Sequence, residues 1–387
     1  MVTPRFLQIH ALHSFSAVLL NRDDSGLAKR MPFGDAMRTR ISSQCLKRHW
    51  RMAKDEFSLK NIEGFTEAFR SRNLISLGVM KALRDTNAAN EEVLQAMENV
   101  FQEKVYSSSG AQPLLLGLPE VEYLREKAAI ICTEHPEDAN AAQKAAEDIF
   151  NTSSGEGNNF RAMRETTRLP GGLVGALFGR MVTSDATANI DAAIHVAHAF
   201  TVHSEESESD YFSVVDDLQG DEDDPGAAHI GDMELTAGLF YGYVVVDLPG
   251  LVSNLEGCDA QEWDNADKSL AGKVIEHLVH LIATVSPGAK RGSTAPYTCA
   301  ALLLIEAGTR QPRSLANAFR SPVRAQISDA TNALADYLGK LDEAYGARET
   351  RHFMSVEDAD IPNAARLPLD ELAIWAANTF RVDNDEN

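Results

Sequence analysis

The histidines form three H-x-x-H pairs, which are the residues best spaced for metal or acid–base chemistry: His10 and His13, His195 and His198, His277 and His280. On a helix, two residues three positions apart share a face and can bind one metal ion. No H-E-x-x-H motif occurs, however, and no carboxylate stands at the usual spacing of a third ligand. We therefore expect no metal site and interpret the pairs as surface or core histidines. A ribonuclease that uses one isolated histidine as general base remains an alternative, although the sequence offers it no orienting partner.

The sequence also lacks the short motifs of common enzyme classes. It has no G-x-S-x-G nucleophile motif, no G-x-x-x-x-G-K-[ST] phosphate loop and no G-x-G-x-x-G dinucleotide loop. Its cysteines are scattered and form no C-x-x-C pair, which argues against zinc ribbons and redox motifs. No apolar stretch reaches about 18 residues, so no membrane segment is expected. We predict a cytoplasmic protein without cofactor or metal.

A basic segment stands out in an acidic chain. Residues 22–54 contain nine Lys and Arg against three Asp, a net charge of +6, so the rest of the chain carries −27 of the total of −21. A negative total taken alone argues against nucleic acid. A local basic patch in an acidic body can still bind a polyanion, while the acidic remainder repels nucleic acid elsewhere.

The basic side chains fall on a predicted loop and a predicted helix that follow a short strand. Residues 6–13 are typical of a short strand, and residues 14–41 of an irregular segment broken by glycine and proline. A helix is predicted to begin near Ser42 or Ser43, either of which can cap it. Its apolar stripe comprises Leu46, Trp50, Ala53 and Phe57, and its second face carries Lys47, Arg51 and Lys54.

The remaining chain mixes helical and strand patterns, and its length indicates two or three units. Helical periodicity marks residues 90–105, 119–134, 137–150, 270–285, 314–345 and 368–380, and strand composition marks 239–248 and 299–305. Residues 190–203 fit either pattern, and residues 152–159 read as a linker. This order matches a split β-α-β-β-α-β arrangement, so we predict an α+β protein with a ferredoxin-like, RRM-like fold and a helical insertion after the first helix. Such folds often present a sheet to RNA but do not by themselves imply that function.

Residues 205–224 form an acidic stretch with an apolar island. They contain ten acidic residues and no Lys or Arg, and residues 211–215 (YFSVV) lie among them. An aromatic pair in such a stretch is not explained as an ordinary amphipathic core segment. The turn at residues 221–225 is itself acidic, and we expect it to point away from any bound phosphate.

Several collinear blocks of the sequence form one pattern. They are LNRDDSG at 20–26, RTRISSQCLKRHWR at 38–51, ALFGRMVTS at 176–184, HVAHAFTVH at 195–203, YFSVVDDL at 211–218, AAHIG at 227–231, HLVHLIATVSPGAKR at 277–291 and SLANAFR at 314–320. Together they resemble the backbone subunit of the type I-E CRISPR Cascade complex, a member of the RAMP superfamily. The blocks span most of the chain, whereas the helical region 58–150 shows little that matches.

The resemblance implies a hand-shaped, non-catalytic subunit. Its RRM-like palm with C-terminal helices would comprise residues 1–57, 160–204 and 238–387, its helical fingers residues 58–159, and its β-hairpin thumb residues 205–237. Copies would stack head to tail along a guide RNA (crRNA), and each thumb would cross RNA held by its neighbour and displace a base. The exposed bases would pair with target DNA in a complex with other Cascade subunits, and a recruited helicase-nuclease would cleave that target.

Cations that follow phosphates can bind an RNA backbone without reading its sequence. These are the candidates, with Ser42 and Gln44 as hydrogen-bond donors near the helix start: Arg22, Lys29, Arg40, Lys47 and Arg51. Lys290 and Arg291, after the second palm helix, are further phosphate candidates. The resemblance assigns base displacement to Met181, Tyr211, Phe212, Ser213 and Ile230, although the family often has Trp where this chain has Tyr211.

Each of these assignments has a structural alternative. The alternative for the basic patch is a solvated charged face, for Met181 and Ile230 it is core packing, and for Lys290 and Arg291 it is a basic helix C-terminus. At the level of function, one alternative is an RNA-processing endoribonuclease of the same superfamily. Another is a protein-only scaffold whose basic patch binds acidic partners.

Overall fold

A computed structural model describes residues 3–106, 113–150, 169, 171–181, 189–214 and 229–381. Its strands are β1 (Phe6–Val18), β2 (Arg30–Phe33), β3 (Ala36–Ile41), β4 (Ala68–Ser71), β5 (Leu114–Gly117), β6 (Ile194–Val196), β7 (Ala199–Thr201), β8 (Ser207–Val214), β9 (His229–Asp247), β10 (Leu302–Gly308), β11 (Thr350–Ser355) and β12 (Ala364–Arg366). Its α-helices are α1 (Ser43–Arg51), α2 (Lys81–Asp85), α3 (Glu91–Tyr106), α4 (Leu118–Glu134), α5 (Ala139–Ile149), α6 (Gly172–Phe178), α7 (Leu248–Glu256), α8 (Ser269–Thr284), α9 (Arg291–Thr294), α10 (Ile327–Tyr345) and α11 (Leu369–Asn378). The predicted α+β class is confirmed. The linker predicted at 152–159 lies outside the described residues, as does the acidic turn at 221–225.

The chain divides into two compact units. Met1–Leu59, His195–Val246 and Gly272–Asn387 form the first, called here the sheet unit. Lys60–Ile194 and Asp247–Ala271 form the second, the helical unit. The palm, fingers and thumb ranges implied by the resemblance stay predictions.

The sheet unit is built on one large sheet with the strand order β12-β11-β10-β1-β9-β7-β3-β2. Strand β10 pairs antiparallel with β1, with Phe6 opposite Gly308, and antiparallel with β11. Strand β8 pairs antiparallel with the first part of the long strand β9. Strand β9 contains the whole run 239–248 except its last residue, so that strand prediction is confirmed.

Both faces of the central strands are covered. On one face Leu12, Tyr241 and Leu304 join a core cluster with Leu334 and Leu338 of helix α10. On the other face, residues of β1 and β9 line a small apolar cavity of about 40 Å³ together with Trp50 of α1 and Ile282 of α8. Burial on both faces explains why β10 (LLLIEAG) is a nearly continuous apolar run instead of an alternating one.

The sequence predicted an irregular segment for residues 14–41, but the structure shows strands there. Strand β1 continues to Val18, and β2 and β3 form a hairpin in which Phe33 lies opposite Ala36. At the turn, Gly34 has a φ of 60°, and a Cβ atom there would lie 1.7 Å from the carbonyl oxygen of Arg320. Gly34 and Pro32, which the sequence analysis took as signs of irregular structure, therefore occupy a hairpin turn and an edge strand. Each residue type is tolerated in that place.

Two helix predictions were wrong in extent, and two strands were missed. Helix α1 ends at Arg51, so the apolar stripe and basic face predicted to reach Phe57 and Lys54 stop short of them. Residues 314–345 form one long helix only from Ile327, because Pro322 interrupts a helical backbone. Strands β11 and β12 were not predicted at all; β12 is only three residues long, and its pairing with β11 is parallel and non-local.

The helical unit surrounds its own core. Helices α3, α4 and α5 match the predicted segments closely, and their buried residues include Phe101, Leu124 and Ala142. Strands β4 and β5 form a separate two-stranded antiparallel sheet. Asn254 of α7 donates hydrogen bonds to the carbonyls of Ala176 and Asp191, each at 2.9 Å, and so joins α7 to α6 and to the segment before β6.

A buried ionic network crosses the sheet unit. Glu306 on β10 is fully buried and accepts hydrogen bonds from Arg351 at 2.7 Å and from Arg313 at 2.9 Å. Because the carboxylate only accepts, His10 Nε2 donates to it at 3.2 Å, and His10 Nδ1 accepts from the Tyr241 hydroxyl at 2.9 Å. Burial lowers the pKa of His10, which keeps the ring neutral in this arrangement.

Replacing Glu306 with alanine should destabilise the protein by about 3–5 kcal/mol, because Arg351, 2% exposed, would lose one of the carboxylates that neutralise it in the core. Chemical denaturation of both variants would measure this. The matched control is Glu276→Ala, which breaks the surface ion pair with Lys273 and should change the free energy of unfolding by no more than about 0.5 kcal/mol. Equal stability of the two variants would contradict the prediction.

Candidate nucleic-acid interface

Helix α1 carries the two basic residues at the centre of the predicted site. Ser42 caps the helix, because its hydroxyl accepts a hydrogen bond from the backbone N–H of Cys45 at 3.2 Å. Trp50, 3% exposed, anchors the helix in the core. Lys47 and Arg51 lie one turn apart on a half-buried side, and burial lowers the pKa of Lys47. Capping and a buried aromatic therefore fix the direction in which this pair points.

Asn21 joins the preceding loop to the start of α1. Its side-chain oxygen accepts from the backbone N–H of Ser42 at 2.8 Å, and its carbonyl accepts from that of Lys29 at 2.9 Å. The carbonyl of Lys29 accepts in turn from the backbone N–H of Arg40 at 2.8 Å. Arg22 is exposed in the same loop. The structure thus brings the loop, the end of β3 and the start of α1 together.

The side chain of Arg40 contacts a histidine at this place. The Arg40 guanidinium donates to Nδ1 of His198 at 3.0 Å. Burial lowers the pKa of His198, and the positive charges of Arg40 and Lys29 lower it further. The positive charges of Arg40 and Lys29 therefore both act on this histidine.

Ser42 and Gln44, predicted to donate to RNA, are both near the helix start. The Ser42 hydroxyl accepts a bond in capping the helix, and it donates none to the residues that the structure describes. Gln44 is exposed, and its side-chain oxygen accepts a hydrogen bond from Ser43 at 3.3 Å. Each therefore keeps a hydrogen for a ligand oxygen.

Two other arginines of the basic segment, Arg38 and Arg30, bind to groups of the protein itself. Arg38 is fully buried and donates to the carbonyls of Thr201 at 3.0 Å and Phe319 at 2.9 Å. Arg30 forms ion pairs with Glu205 and Glu234. These two side chains hold strands together. The net charge of +6 for residues 22–54 is therefore larger than the charge available to bind a ligand.

The predicted thumb residues Tyr211 and Phe212 lie in strand β8. Tyr211 is 66% exposed and Phe212 36% exposed, and successive residues of a strand point to opposite faces. The Phe212 ring covers Gly231 on the paired strand, where a Cβ atom would lie 2.5 Å from the ring. The sequence treated the aromatic pair as one surface, whereas the strand separates the two rings.

Ser213 and Ile230 are paired across β8 and β9. Ser213 is exposed, and only the backbone of Ile230 is among the described features. The assignment of Ile230 to base displacement stays a prediction.

Lys290 and Arg291 follow helix α8 and begin the short helix α9. The Lys290 Nζ atom lies 5.8 Å from the centroid of the Phe212 ring, a cation–π distance. Arg291 donates to the carbonyl of Ser286 at 3.1 Å, two residues beyond the end of α8. The structure thus connects Lys290 with the predicted thumb strand.

Met181 belongs to the helical unit and is 74% exposed, so core packing does not explain it. The residue before it, Arg180, forms a buried ion pair with Glu120 at 2.5 Å and pairs by its backbone with Ile190. A rigid buried anchor therefore presents an exposed, flexible apolar side chain.

The histidine pairs lie in unlike surroundings. His10 belongs to the buried ionic network, whereas His13 lines the apolar cavity, where burial lowers its pKa to about 4. His277 donates to the Phe57 carbonyl at 2.9 Å, and His280 stacks on the Phe57 ring. Across the part of the chain that the structure describes, no three His, Cys, Asp or Glu residues are grouped to hold a metal ion.

Sequence reasoning missed Arg48. It is exposed on α1, and the positive charges of Arg48 and Arg291 both lower the pKa of His49, after burial, the largest cause. Arg48 lies beside Lys47 in the same block, about 100° further around the helix, so helical geometry could have placed it on a separate face.

Comparison with known protein families identifies the family of this chain. A family model described as "CT1975-like protein" matches residues 7–375. The chain belongs to the CT1975-like protein family. A search of curated proteins found no match.

Two solved chains resemble this CT1975-like protein. One, from a "CRISPR RNA-guided surveillance complex, pre-nicking", has a TM-score of 0.74 and 25% sequence identity over 96% of this chain and 100% of that one. Another, from a "CRISPR RNA-guided surveillance complex", has a TM-score of 0.63 and 23% identity over 96% and 100%; this second likeness bears on the fold alone. The resemblance indicated by the sequence blocks is confirmed in family and in fold. No helix within the described ranges has the length and apolar character to cross a membrane.

Proposed function

We propose that this CT1975-like protein binds a guide RNA along its backbone, as a repeated, non-catalytic subunit of a CRISPR surveillance complex. The basic surface carries the proposal: Lys29, Arg40 and the start of the Lys47–Arg51 helix meet through Asn21 in a chain of net charge −21. Cations gathered on one surface of an acidic protein favour a polyanion at that surface alone. The likeness to a chain of an RNA-guided complex supports RNA as that polyanion.

We infer that the sheet unit is an RRM-like palm. In a split β-α-β-β-α-β unit the fourth strand lies beside the first, followed by the third and the second. The order β10-β1-β9-β7 supports this arrangement. Strands β2 and β3 then extend the sheet on the side of β7, and β11 and β12 on the side of β10.

The β8–β9 pair is the proposed thumb, which crosses guide RNA held by a neighbouring copy. An exposed ring at Phe212, with a cation 5.8 Å from its centre, can stack on a base whatever its identity. Met181 is a second exposed apolar side chain for the same task. Segments between displaced bases stay open to target DNA, and other subunits and a helicase-nuclease would act on the assembled complex in the cytoplasm.

One observation favours the rival reading as an endoribonuclease. His198 lies at the basic surface with a lowered pKa, so its ring is neutral at pH 7 and able to accept a proton. Its Nδ1 faces the Arg40 guanidinium, however, and no carboxylate among the described residues bonds to the ring. An unoriented base with one nitrogen facing a cation is poorly suited to accept a proton, which supports the non-catalytic proposal.

The experiment is to incubate the protein with guide-precursor RNA and follow both RNA length and complex size. Wild type, His195→Ala and His198→Ala should all bind RNA without shortening it, and electron micrographs should show curved multi-copy particles. Both histidines are exposed, so the substitutions should not affect folding.

Cleavage by wild type that disappears in His198→Ala would establish the endoribonuclease instead. Purification without RNA, combined with binding to acidic proteins, would favour the scaffold alternative.

A further inference from the structure

A groove of about 640 Å³ lies in the sheet unit between the end of α1 and the segment after α8. Its volume falls within the range of roughly 300–1,000 Å³ that is usual for ligand sites. Arg48 and Lys54 line it from one side, and Arg291 and Tyr297 from the other. Of these four residues, only Arg291 is among the phosphate candidates predicted from the sequence.

The charge of this groove is largely unneutralised. Arg48, Lys54 and Arg291 form no ion pair with a carboxylate of the described chain, and Asp55 is the one acidic residue that lines the groove. Arg48 and Arg291 both line the groove together with His49, and their positive charges add to burial in lowering the pKa of His49. In a chain of net charge −21, a concave site with an excess of cations is suited to an anion.

Tyr297 adds an aromatic surface to this cationic groove, and it is 72% exposed. Its neighbours are fixed: Pro296 is buried against Gly288, where a Cβ atom would lie 2.6 Å from the proline ring. On the other side, the Ser286 hydroxyl bonds to the backbone N–H and carbonyl of Thr298, each at 3.1 Å. The Tyr297 ring is therefore exposed, and the contacts of the neighbouring residues hold its backbone in place.

Ala295 shows that this presentation is strained. Its φ of 39° is in the left-handed region, which a residue with a Cβ rarely adopts. The next turn is closed by the Tyr297 N–H, which donates to the Ala295 carbonyl at 2.7 Å. Strain of this kind persists where the surrounding structure enforces it, and it is concentrated at ligand sites.

We propose that this groove binds one nucleotide of a single-stranded RNA, with its phosphate on Arg48 and Arg291 and its base stacked on Tyr297. The inference rests on the proposed RNA binding and adds to it a stacking contact with a base of any identity. Cations beside an exposed aromatic ring are the arrangement by which proteins bind single strands without reading sequence. An acidic protein segment would use the cations but would have no need of the ring.

The test compares two labelled oligomers of about 12 nucleotides, uridine RNA and an abasic RNA with equal phosphates, by fluorescence anisotropy. Tyr297→Ala should weaken uridine RNA binding roughly 5- to 100-fold and leave abasic binding unchanged. Tyr297→Phe should keep most of the affinity, because the ring face remains. Tyr345→Ala is the matched control, since Tyr345 is also 72% exposed and does not line the groove. Arg48→Ala with Arg291→Ala should weaken both oligomers.

Unchanged binding of both oligomers by folded Tyr297→Ala would overturn the inference. If Lys47→Ala with Arg51→Ala still weakened RNA binding, the proposed function would stand without the groove; if neither change mattered, both would fail. A third outcome also overturns it: Arg48→Ala with Arg291→Ala abolishes binding of a polyglutamate peptide but leaves RNA affinity unchanged. That result would assign the groove to an acidic protein partner.

Discussion

Replacing Lys47 and Arg51 together with alanine is expected to weaken binding of single-stranded RNA on the order of tenfold at 0.15 M salt, to a similar degree for every sequence. The two side chains lie one turn apart on a helix that Ser42 caps and Trp50 anchors, so both can meet one phosphate backbone. Phosphates carry no sequence information, hence the weakening should not depend on sequence. The plot of log affinity against log salt should flatten by roughly 0.7 for each phosphate that the protein no longer neutralises.

Filter binding or anisotropy over a salt series would measure both quantities. Lys273→Ala with Lys340→Ala is the matched control, because it removes the same charge from exposed positions elsewhere in the sheet unit. Alanine favours helix, so α1 should persist, and circular dichroism would verify it. A folded Lys47 and Arg51 double variant with wild-type affinity and salt dependence would remove this helix from the RNA site.

Phe212→Ala is expected to reduce guide-RNA protection and target-DNA binding of assembled complexes far more than RNA binding by an isolated subunit. Stacking on one base contributes about 1–3 kcal/mol, and a repeated subunit would lose that amount at every copy. The ring already covers Gly231 and has Lys290 near its face, so it is positioned before any base arrives. Phe212→Tyr should be mild, because the ring face survives.

The geometry of strand β8 provides a matched control for Phe212→Ala, namely Tyr211→Ala. Tyr211 is more exposed than Phe212 but lies on the opposite face of β8, so Tyr211→Ala should not reproduce the Phe212→Ala defect. Nuclease protection of the guide and affinity for target DNA would be measured after thermal denaturation confirms folding. Wild-type behaviour of Phe212→Ala would exclude this residue from the thumb contact. An unfolded alanine variant would identify Phe212 as a packing residue instead.

Much of the fold was predictable where local signals were strong. Helices α3, α4 and α8 have long apolar stripes, and the β-branched and aromatic run in β9 favours a strand without help from other segments. The Ser42 cap is encoded by residues adjacent in the chain. Strand β3 was missed because part of its stability comes from pairing with β7, about 160 residues away, which no local pattern reveals.

For the site, the sequence alone determined that a basic segment exists in an acidic chain, and its motif blocks indicated the family. It could not separate one arginine from another. Only the tertiary structure showed that Arg38 and Arg30 bind inside the protein, because their partners come from residues 201–234 and 319. Folding likewise joins Arg48 to Tyr297, nearly 250 positions further along the chain, in one groove. Charge and residue type are local properties, whereas exposure and neutralisation depend on non-local neighbours that only the folded chain brings near.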